Sequence, residues 1–426
     1  MTSEAALDEV YVWIWLPGKI RPVVAGLLSR AGSALAFNYG RSYLERPDAI
    51  PIYDPELPLR AGILPLPAGL SMPSSLRDAA PDAWGRRVIV NRRFGQKGVA
   101  IDIGQLDELT YLIESGSDRV GALDFQRSAT VYEPRQGRAA SLAELLSAAE
   151  SVEAGVPITP ELHQALFHGS SLGGARPKAM IEEPEAKYIA KFSSRTDLYN
   201  VVKAEFVAMR LAAVAGLDVA PVRLVHAAGK DVLLIERFDR RRSAVGWLRK
   251  AMVSALTIFE LDELMARYAS YQDLAEIIRH RFAAPRATLH ELFGRLVFNI
   301  LCGNTDDHAR NHAAFWDGTS LALTPAYDIC PQGRTGGDAT QAMLIAGDNR
   351  QSRLSVCIGA AAQFQLGTEE ATAIIERQII AIRDRWSGIC DEGGLTELDR
   401  NFLWRRQFLN PFAFEGAPAR LHGLIE

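Results

Sequence analysis

Asn304-Thr-Asp306-Asp-His-Ala-Arg-Asn311 follows a strongly apolar stretch and opens a polar loop, and the fold is decided by how it is read. Upstream, Leu289, Leu292, Phe293, Leu296, Val297 and Ile300 recur at the spacing of one buried helical face. Downstream, residues 312–316 and 320–323 read as a short β pair leading into Thr324-Pro-Ala-Tyr-Asp328. A loop aspartate in this setting can accept a proton, and an amide at Asn311 with a carboxylate at Asp328 supplies the oxygen ligands that a hard divalent cation takes.

The Asp306-x-x-x-x-Asn311 spacing matches the catalytic loop of kinases, where the aspartate accepts the substrate hydroxyl proton and the asparagine holds a metal ion. Asp307 stands one residue too close to Asn311 for that role, whereas Asp328 falls where a second Mg²⁺ ligand belongs. Three such groups in order are far more specific than any one alone. A metal hydrolase is the rival reading, because His308 and His312 are four apart beside two aspartates, but it requires both imidazoles on one helical face and the helix ends before Asn304. The plainer role for His308 is a loop histidine that hydrogen-bonds the backbone and orders Asp306.

Two further features lie upstream. Gly169-Ser-Ser-Leu-Gly-Gly-Ala-Arg-Pro-Lys178 is a glycine-rich loop just before a strand, of the kind whose backbone amides approach phosphates. Ala175 and Arg176 follow Gly174 where a Walker A motif needs Lys-Ser/Thr, so a P-loop NTPase is not supported. Lys191 precedes Glu205 by fourteen positions, the strand-lysine and helix-glutamate arrangement that anchors ATP phosphates in a kinase N-lobe. Only eight of the 47 basic residues are lysines, which makes each retained lysine a residue to account for.

Around these motifs the chain alternates. Residues 10–36 read as strands with turns, and seven prolines between Arg46 and Pro81 exclude a long helix there. Helix resumes near Asp82 and again at 107–113. Ser141 with Glu144 forms a capping box for a helix over 141–154. Residues 178–182 and 187–192 form a hairpin, 200–215 a helix closed by Gly216, and 221–226 with 232–238 two more strands. Beyond Arg242 the pattern is mainly helical, and Arg237, Arg240, Arg241 and Arg242 read as a solvated hairpin turn.

Composition sets the outer bounds. The chain has 426 residues, 48% hydrophobic and 23% charged, enough for two or three folded domains. A net charge of -4 gives no global attraction to nucleic acid. The four cysteines contain no C-x-x-C pair, so neither a zinc ribbon nor a redox motif is written. The acidic first residues lack the features of a signal peptide, and no apolar run reaches the length of a membrane span, so a cytoplasmic protein without membrane contact is expected.

With these motifs in place, the sequence resembles the HipA-type serine/threonine kinases of bacterial toxin–antitoxin systems. The matching stretches are Ser-Leu-Gly-Gly-Ala-Arg-Pro-Lys178, Ile-Ala-Lys191-Phe, Leu-Ile-Glu236-Arg-Phe238-Asp-Arg, Gly-Asn-Thr-Asp306-Asp-His-Ala-Arg-Asn311 and Leu-Thr-Pro-Ala-Tyr-Asp328, in the family's order over roughly residues 169–331. Ala80-Pro-Asp-Ala-Trp-Gly-Arg-Arg87 and the proline-rich stretch resemble the family's appended N-terminal domain.

The resemblance implies an α+β, protein-kinase-like two-lobed fold: a small β-rich N-terminal domain over 8–138, a kinase N-lobe with the glycine-rich loop over 139–242, and a helical C-lobe over 243–426. It implies ATP and Mg²⁺ as cofactors. Asp306 would be the catalytic base and Asn311 and Asp328 the metal ligands. Lys191, paired with Glu205, would anchor phosphate, and Glu236 and Phe238 would hold adenine at the hinge. Ser170, Ser171, Gly173, Gly174, Lys178 and His308 would complete the nucleotide site. Ser171 aligns with a loop serine that family members phosphorylate on themselves, and its neighbour Ser170 is a second candidate; a phosphoserine cannot share the site with ATP phosphates. Implied partners are a HipB-type helix-turn-helix antitoxin, operator DNA through that antitoxin, and an aminoacyl-tRNA synthetase as substrate. A small-molecule kinase and a catalytically silent co-repressor are the alternatives. No His-Arg precedes Asp306, and Ile329-Cys330 replaces Phe-Gly after Asp328, so the usual activation-loop switch is not evident.

Overall fold

The structure is a computed structural model that describes residues 7–94, 104, 106–137, 140–167, 171, 174–194, 197–334 and 336–425. The chain forms two compact units: one of Met1–Thr196, Val225–Val253 and Phe315–Thr319, the other of Asp197–Leu224, Ser254–Ala314 and Ser320–Glu426.

In the first unit, alternating Val10, Val12 and Ile14 give the strand Glu9–Ile14 one buried face. It sits in an antiparallel five-stranded sheet ordered Ile63–Leu64, Ala34–Tyr39, Val23–Ala31, Glu9–Ile14, Leu123–Gln126. The sheet packs on Leu76, Leu109 and Leu112. Gly26 is obligatory, because a Cβ there would run into the carbonyl oxygen of Asn38 on the neighbouring strand. The proline-rich stretch carries no long helix: Tyr39 Oη donates to Leu57 O at 2.7 Å and accepts from Ile52 N at 2.8 Å, tying extended chain to the sheet.

A second core of the same unit packs Trp84 and Val88, on the helix Ala83–Phe94, with Leu145, Leu146 and Val152 of the helix Leu142–Glu153. The expected capping box is present at Ser141 and Glu144. These helices cover Ala179, Ala190, Phe192, Val232 and Leu234 of a four-stranded sheet ordered Lys178–Glu182, Lys187–Phe192, Lys230–Glu236, Val222–Ala227.

The reading of Arg237, Arg240, Arg241 and Arg242 as a solvated turn is corrected. Arg241 and Arg242 are exposed, but Arg237 and Arg240 are buried, ion-paired to Asp239 and Asp118. The mainly helical reading beyond Arg242 is corrected too, since Arg240–Ser243 and Gly246–Arg249 pair as a hairpin that its arginine-rich composition concealed. Burial by itself would raise the pKa of Asp239, but Arg237 and Arg240 outweigh it and hold the carboxyl at about 2. An acid whose pKa is lower folded than unfolded adds stability above the unfolded pKa and loses it as pH falls through the folded one. We therefore expect the melting temperature to fall as pH drops from about 4 toward 2, with Asp239 alone contributing roughly 2 kcal/mol to the loss; a melting series across that range checks it.

The second unit is helical. Leu289, Leu292, Phe293, Leu296, Val297 and Ile300 of the helix Pro285–Cys302 are buried as their spacing predicts. Around it lie the helices Val201–Val214, Tyr271–Arg281 and Thr368–Glu392. Asn200 caps the first of these by accepting from Lys203 N, and Gly216 follows its end at φ +92°.

Candidate active site

The loop carrying Asp306 begins where the helix Pro285–Cys302 stops. Gly303 ends it in the left-handed region at φ +73°, where a Cβ would lie 2.9 Å from Gln407 O. Gly303→Ala is expected to cost about 1–3 kcal/mol, measured by urea unfolding, because both the conformation and the space exclude a side chain. Asn304 then folds back, its N and Nδ2 donating to Asn299 O and Oδ1 at 2.8 and 3.0 Å.

Asp307 points inward. Its carboxylate accepts from the Tyr271 hydroxyl and lies 3.1 Å from His312 Nε2, all three residues buried. This arrangement holds the loop from beneath and leaves Asp306 on the accessible side. Tyr271 is not marked by sequence spacing, and the spacing of Asp307 and His312 marks them only as candidate metal ligands. His312 is committed to Asp307, and among the described residues no three His, Cys, Asp or Glu side chains form a metal-binding group, so the zinc reading finds no support.

Asn311 is brought to Asp306 by the short helical turn Ala309–Asn311: its N donates to His308 O at 2.8 Å, and its Nδ2 donates to Asp306 O at 3.2 Å. That leaves the amide oxygen, the atom a hard cation needs, outside this bond. Tyr327 Oη donates to Arg310 O at 2.7 Å, tying the segment before Asp328 to the same loop. Ala326 N donates to Asp218 O, and Arg295, held by Glu291, donates to Thr324 O, so the approach to Asp328 is fixed from two sides. Asp328 itself has φ +59°, a conformation that non-glycine residues hold where the surroundings impose it.

Burial raises the pKa of Asp306, the nearby charge of Asp328 raises it further, and His308 opposes both. Two carboxylates that repel one another, with the amide of Asn311 on the same loop, have the donor chemistry that a divalent cation takes, so these residues fit Mg²⁺. The expectation that His308 hydrogen-bonds the backbone is not met. Its Nδ1 is buried and has no hydrogen-bond partner among the described residues.

In the first unit, Lys178 and Lys191 are direct register partners on adjacent strands, which sets two ammonium groups on one face of the hairpin. Like charges directly opposite one another are unfavourable, and an anion between them reverses the sign. Glu236 ends the strand Lys230–Glu236, and Phe238 meets Phe315 edge-on at 5.8 Å. Glu205 is buried on the helix Val201–Val214 of the second unit. Ser171 is buried, its hydroxyl without a hydrogen-bond partner among the described residues. Ser170 and Gly173 lie outside the described residues.

The glycine-rich loop is held from an unexpected quarter. Gly174 N donates to Asp82 Oδ2 at 2.6 Å, Trp84 N donates to Gly174 O at 3.3 Å, and Trp84 Nε1 donates to Lys178 O at 2.9 Å. The Arg87 guanidinium donates to Ala175 O. Gly174 has φ +95°, and a side chain there would run into Lys178 Nζ. The stretch Ala80-Pro-Asp-Ala-Trp-Gly-Arg-Arg87 thus holds Gly174, Ala175 and Lys178, the described end of the loop, a role its own sequence does not announce.

Comparison with known proteins bears on the family and the fold. Residues 170–386 match the family described as HipA-like C-terminal domain, and residues 14–126 match HipA N-terminal domain. A putative kinase, Y4mE of Sinorhizobium fredii, is 33% identical over 153 residues, covering 33% of each chain. The serine/threonine-protein kinase toxin HipA of Shewanella oneidensis is 29% identical over 158 residues, 33% of this chain and 36% of that one. The matched stretches thus span about a third of the length of these two relatives. A solved Shewanella oneidensis complex of HipA, HipB and operator DNA contains a chain that superposes with TM-score 0.67 and 20% identity, over 93% of this chain and 95% of that one. The fold is therefore the α+β fold of HipA, and with its C-terminal family match spanning half of the sequence, the chain belongs to the HipA family.

Proposed function

We propose that this protein is an ATP- and Mg²⁺-dependent serine/threonine protein kinase that acts as the toxin of a toxin–antitoxin module. The observation that carries the reading is that one loop holds Asp306 and Asn311 together, Asn311 Nδ2 donating to Asp306 O at 3.2 Å, while Tyr327 Oη donates to Arg310 O at 2.7 Å and ties the segment before Asp328 to the same loop. Mg²⁺, held by Asn311 and Asp328, would neutralise charge on the nucleotide phosphates. Asp306 would accept the hydroxyl proton of the acceptor. Lys191, with Lys178 opposite, would face the phosphates, with Glu205 as the partner of Lys191. Glu236 and Phe238 would border the adenine, and His308, Ser170, Ser171, Gly173 and Gly174 would close the site.

The partners follow from the family. The Shewanella complex joins HipA to HipB and operator DNA, and a helix-turn-helix antitoxin of that type is the partner proposed here, with DNA reached through it and an aminoacyl-tRNA synthetase as substrate. Among the described residues no helix is long and apolar enough to cross a membrane.

Ser171 would be the self-phosphorylation site. Because Ser171 is buried, it must leave its place for the hydroxyl to be modified, and a dianionic phosphoserine would not return to a buried position without counter-charges. Peptide mapping after incubation with MgATP is expected to place phosphate on Ser171, and the product is expected to have lost ATP binding. Label confined to Ser170, or a phosphorylated protein that binds ATP unchanged, contradicts this mode of inactivation. Transfer of label to a purified panel of aminoacyl-tRNA synthetases tests the substrate, and transfer only to small molecules would replace it.

A further inference from the structure

Asp118 lies in a loop outside every motif above, yet its carboxylate gathers three cations. Lys187 Nζ is 2.7 Å from Oδ2, and Oδ1 lies 3.2 Å from Arg237 Nη1 and 2.8 Å from Arg240 Nη2. The neighbouring backbone takes part as well. Arg237 Nη2 donates to Arg119 O at 2.8 Å, Arg240 Nη1 donates to Gly121 O at 2.8 Å, and Gly121 N donates to Asp239 Oδ2 at 2.8 Å. Arg249 Nη1 adds a bond to Ser117 O at 3.0 Å.

Arg237 and Arg240 have side chains only 1% exposed, so their charges depend on these partners for solvation. Burial alone would raise the pKa of Asp118, but Arg237, Arg240, Arg249 and Lys187 hold it well below the usual carboxylate range, and it stays charged. Buried ion networks are weak contributors to stability, and their better-attested use is to fix one geometry among several. The geometry fixed here is that of the backbone around Arg237, which sits between Glu236 and Phe238. Arg237 N donates to Lys187 O at 2.8 Å, and Lys250 N donates to Asp239 O at 3.0 Å, so the main chain on both sides of Phe238 is held by the same cluster.

We propose that Asp118 is a positioning residue for the nucleotide: with the segment 117–121 it locks the backbone that presents Glu236 and Phe238, making the N-terminal domain a structural part of the adenine site. This rests on the reading of Glu236 and Phe238 as the adenine hinge.

The test compares full-length wild type, Asp118→Asn and Asp118→Glu, each checked for folding by circular dichroism and melting temperature. Affinity is measured by calorimetry for MgATP and for magnesium tripolyphosphate, which carries the phosphates without the base. Asp118→Asn is expected to weaken MgATP binding by about tenfold or more, as one lost charged contact would. It should leave tripolyphosphate binding unchanged and raise KM for ATP far more than it lowers kcat. Asp118→Glu should recover part of the loss, and Arg242→Ala, on the exposed side of the same hairpin, should match wild type. If Asp118→Asn does not fold, Lys187→Gln, which removes one partner and leaves the arginines paired, carries the same comparison with a smaller loss in the same direction. A folded variant that binds MgATP like wild type, or that loses ATP and tripolyphosphate equally, overturns the inference while the kinase reading stands. Wild type shown by mass spectrometry to be unphosphorylated that binds neither ligand overturns both.

Discussion

Asp306→Asn is expected to slow phosphate transfer by about 10²–10⁴-fold, the range set by removing a general base, while MgATP still binds. The substitution keeps shape and removes the group that would take the hydroxyl proton. Its neighbour provides the internal control. Asp307 is buried against Tyr271 and His312, so Asp307→Asn should act first on stability, lowering the melting temperature, with any loss of rate following from a loosened loop. If the two variants exchanged these behaviours, Asp307 would be the base and the loop would have been read one residue out of register. The proton affinity of Asp306 adds a pH signature. Burial and the charge of Asp328 both raise its pKa, so the acid limb of the rate profile should lie above that of an ordinary carboxylate.

Asp328→Asn should produce the second large effect by another route. Asparagine tolerates the left-handed conformation that Asp328 holds at φ +59°, so the backbone is expected to survive. What would be lost, on the proposed reading, is an anionic oxygen that would hold the cation. Partners one shell further from a metal already cost about 10–100-fold in affinity or activity when removed, so loss of a direct ligand should weaken Mg²⁺-dependent ATP binding by about a hundredfold or more. Excess Mg²⁺ should recover part of that binding. Removing the charge also relieves the repulsion on Asp306, whose pKa should move down, shifting the acid limb of the residual activity to lower pH. A shift upward would mean that the two carboxylates do not face each other, and calorimetric titration of the variant with MgATP and a pH–rate profile separate the two effects.

The parts of this arrangement that were legible in the sequence are those encoded locally. Asp306 and Asn311 are five apart in one loop, the helix before them is written by a 3.6-residue repeat ending at a glycine, and the hairpin carrying Lys178 and Lys191 is written as two short runs on either side of Glu183-Pro184-Glu185-Ala186. The contacts that were not legible join residues far apart in the chain. Asp82 meets Gly174 across 92 positions, and Arg237 meets Asp118 across 119, and no periodicity records either pairing. Arg237 and Arg240 look like solvated charges because their counter-ions lie in another segment, and burial reverses the expectation once those carboxylates arrive. The hairpin Arg240–Ser243 and Gly246–Arg249 was hidden for a related reason, since its strands are polar and gain their place from ion pairs and ring contacts such as Arg249 over Trp15. Asp307 and His312 form the opposite case: adjacent to the motif, they resembled metal ligands, and the structure shows them bracing the loop.

The central claim, that Asp306, Asn311 and Asp328 form a phosphate-transfer centre, is tested most directly by incubating purified wild type and Asp306→Asn with γ-labelled ATP and Mg²⁺ and measuring protein-bound label alongside ATP binding. The account predicts label on wild type, labelling of Asp306→Asn slower by about a hundredfold or more, and ATP binding by both. Equal labelling of the two proteins, or no ATP binding by wild type shown by mass spectrometry to be unphosphorylated, would contradict it.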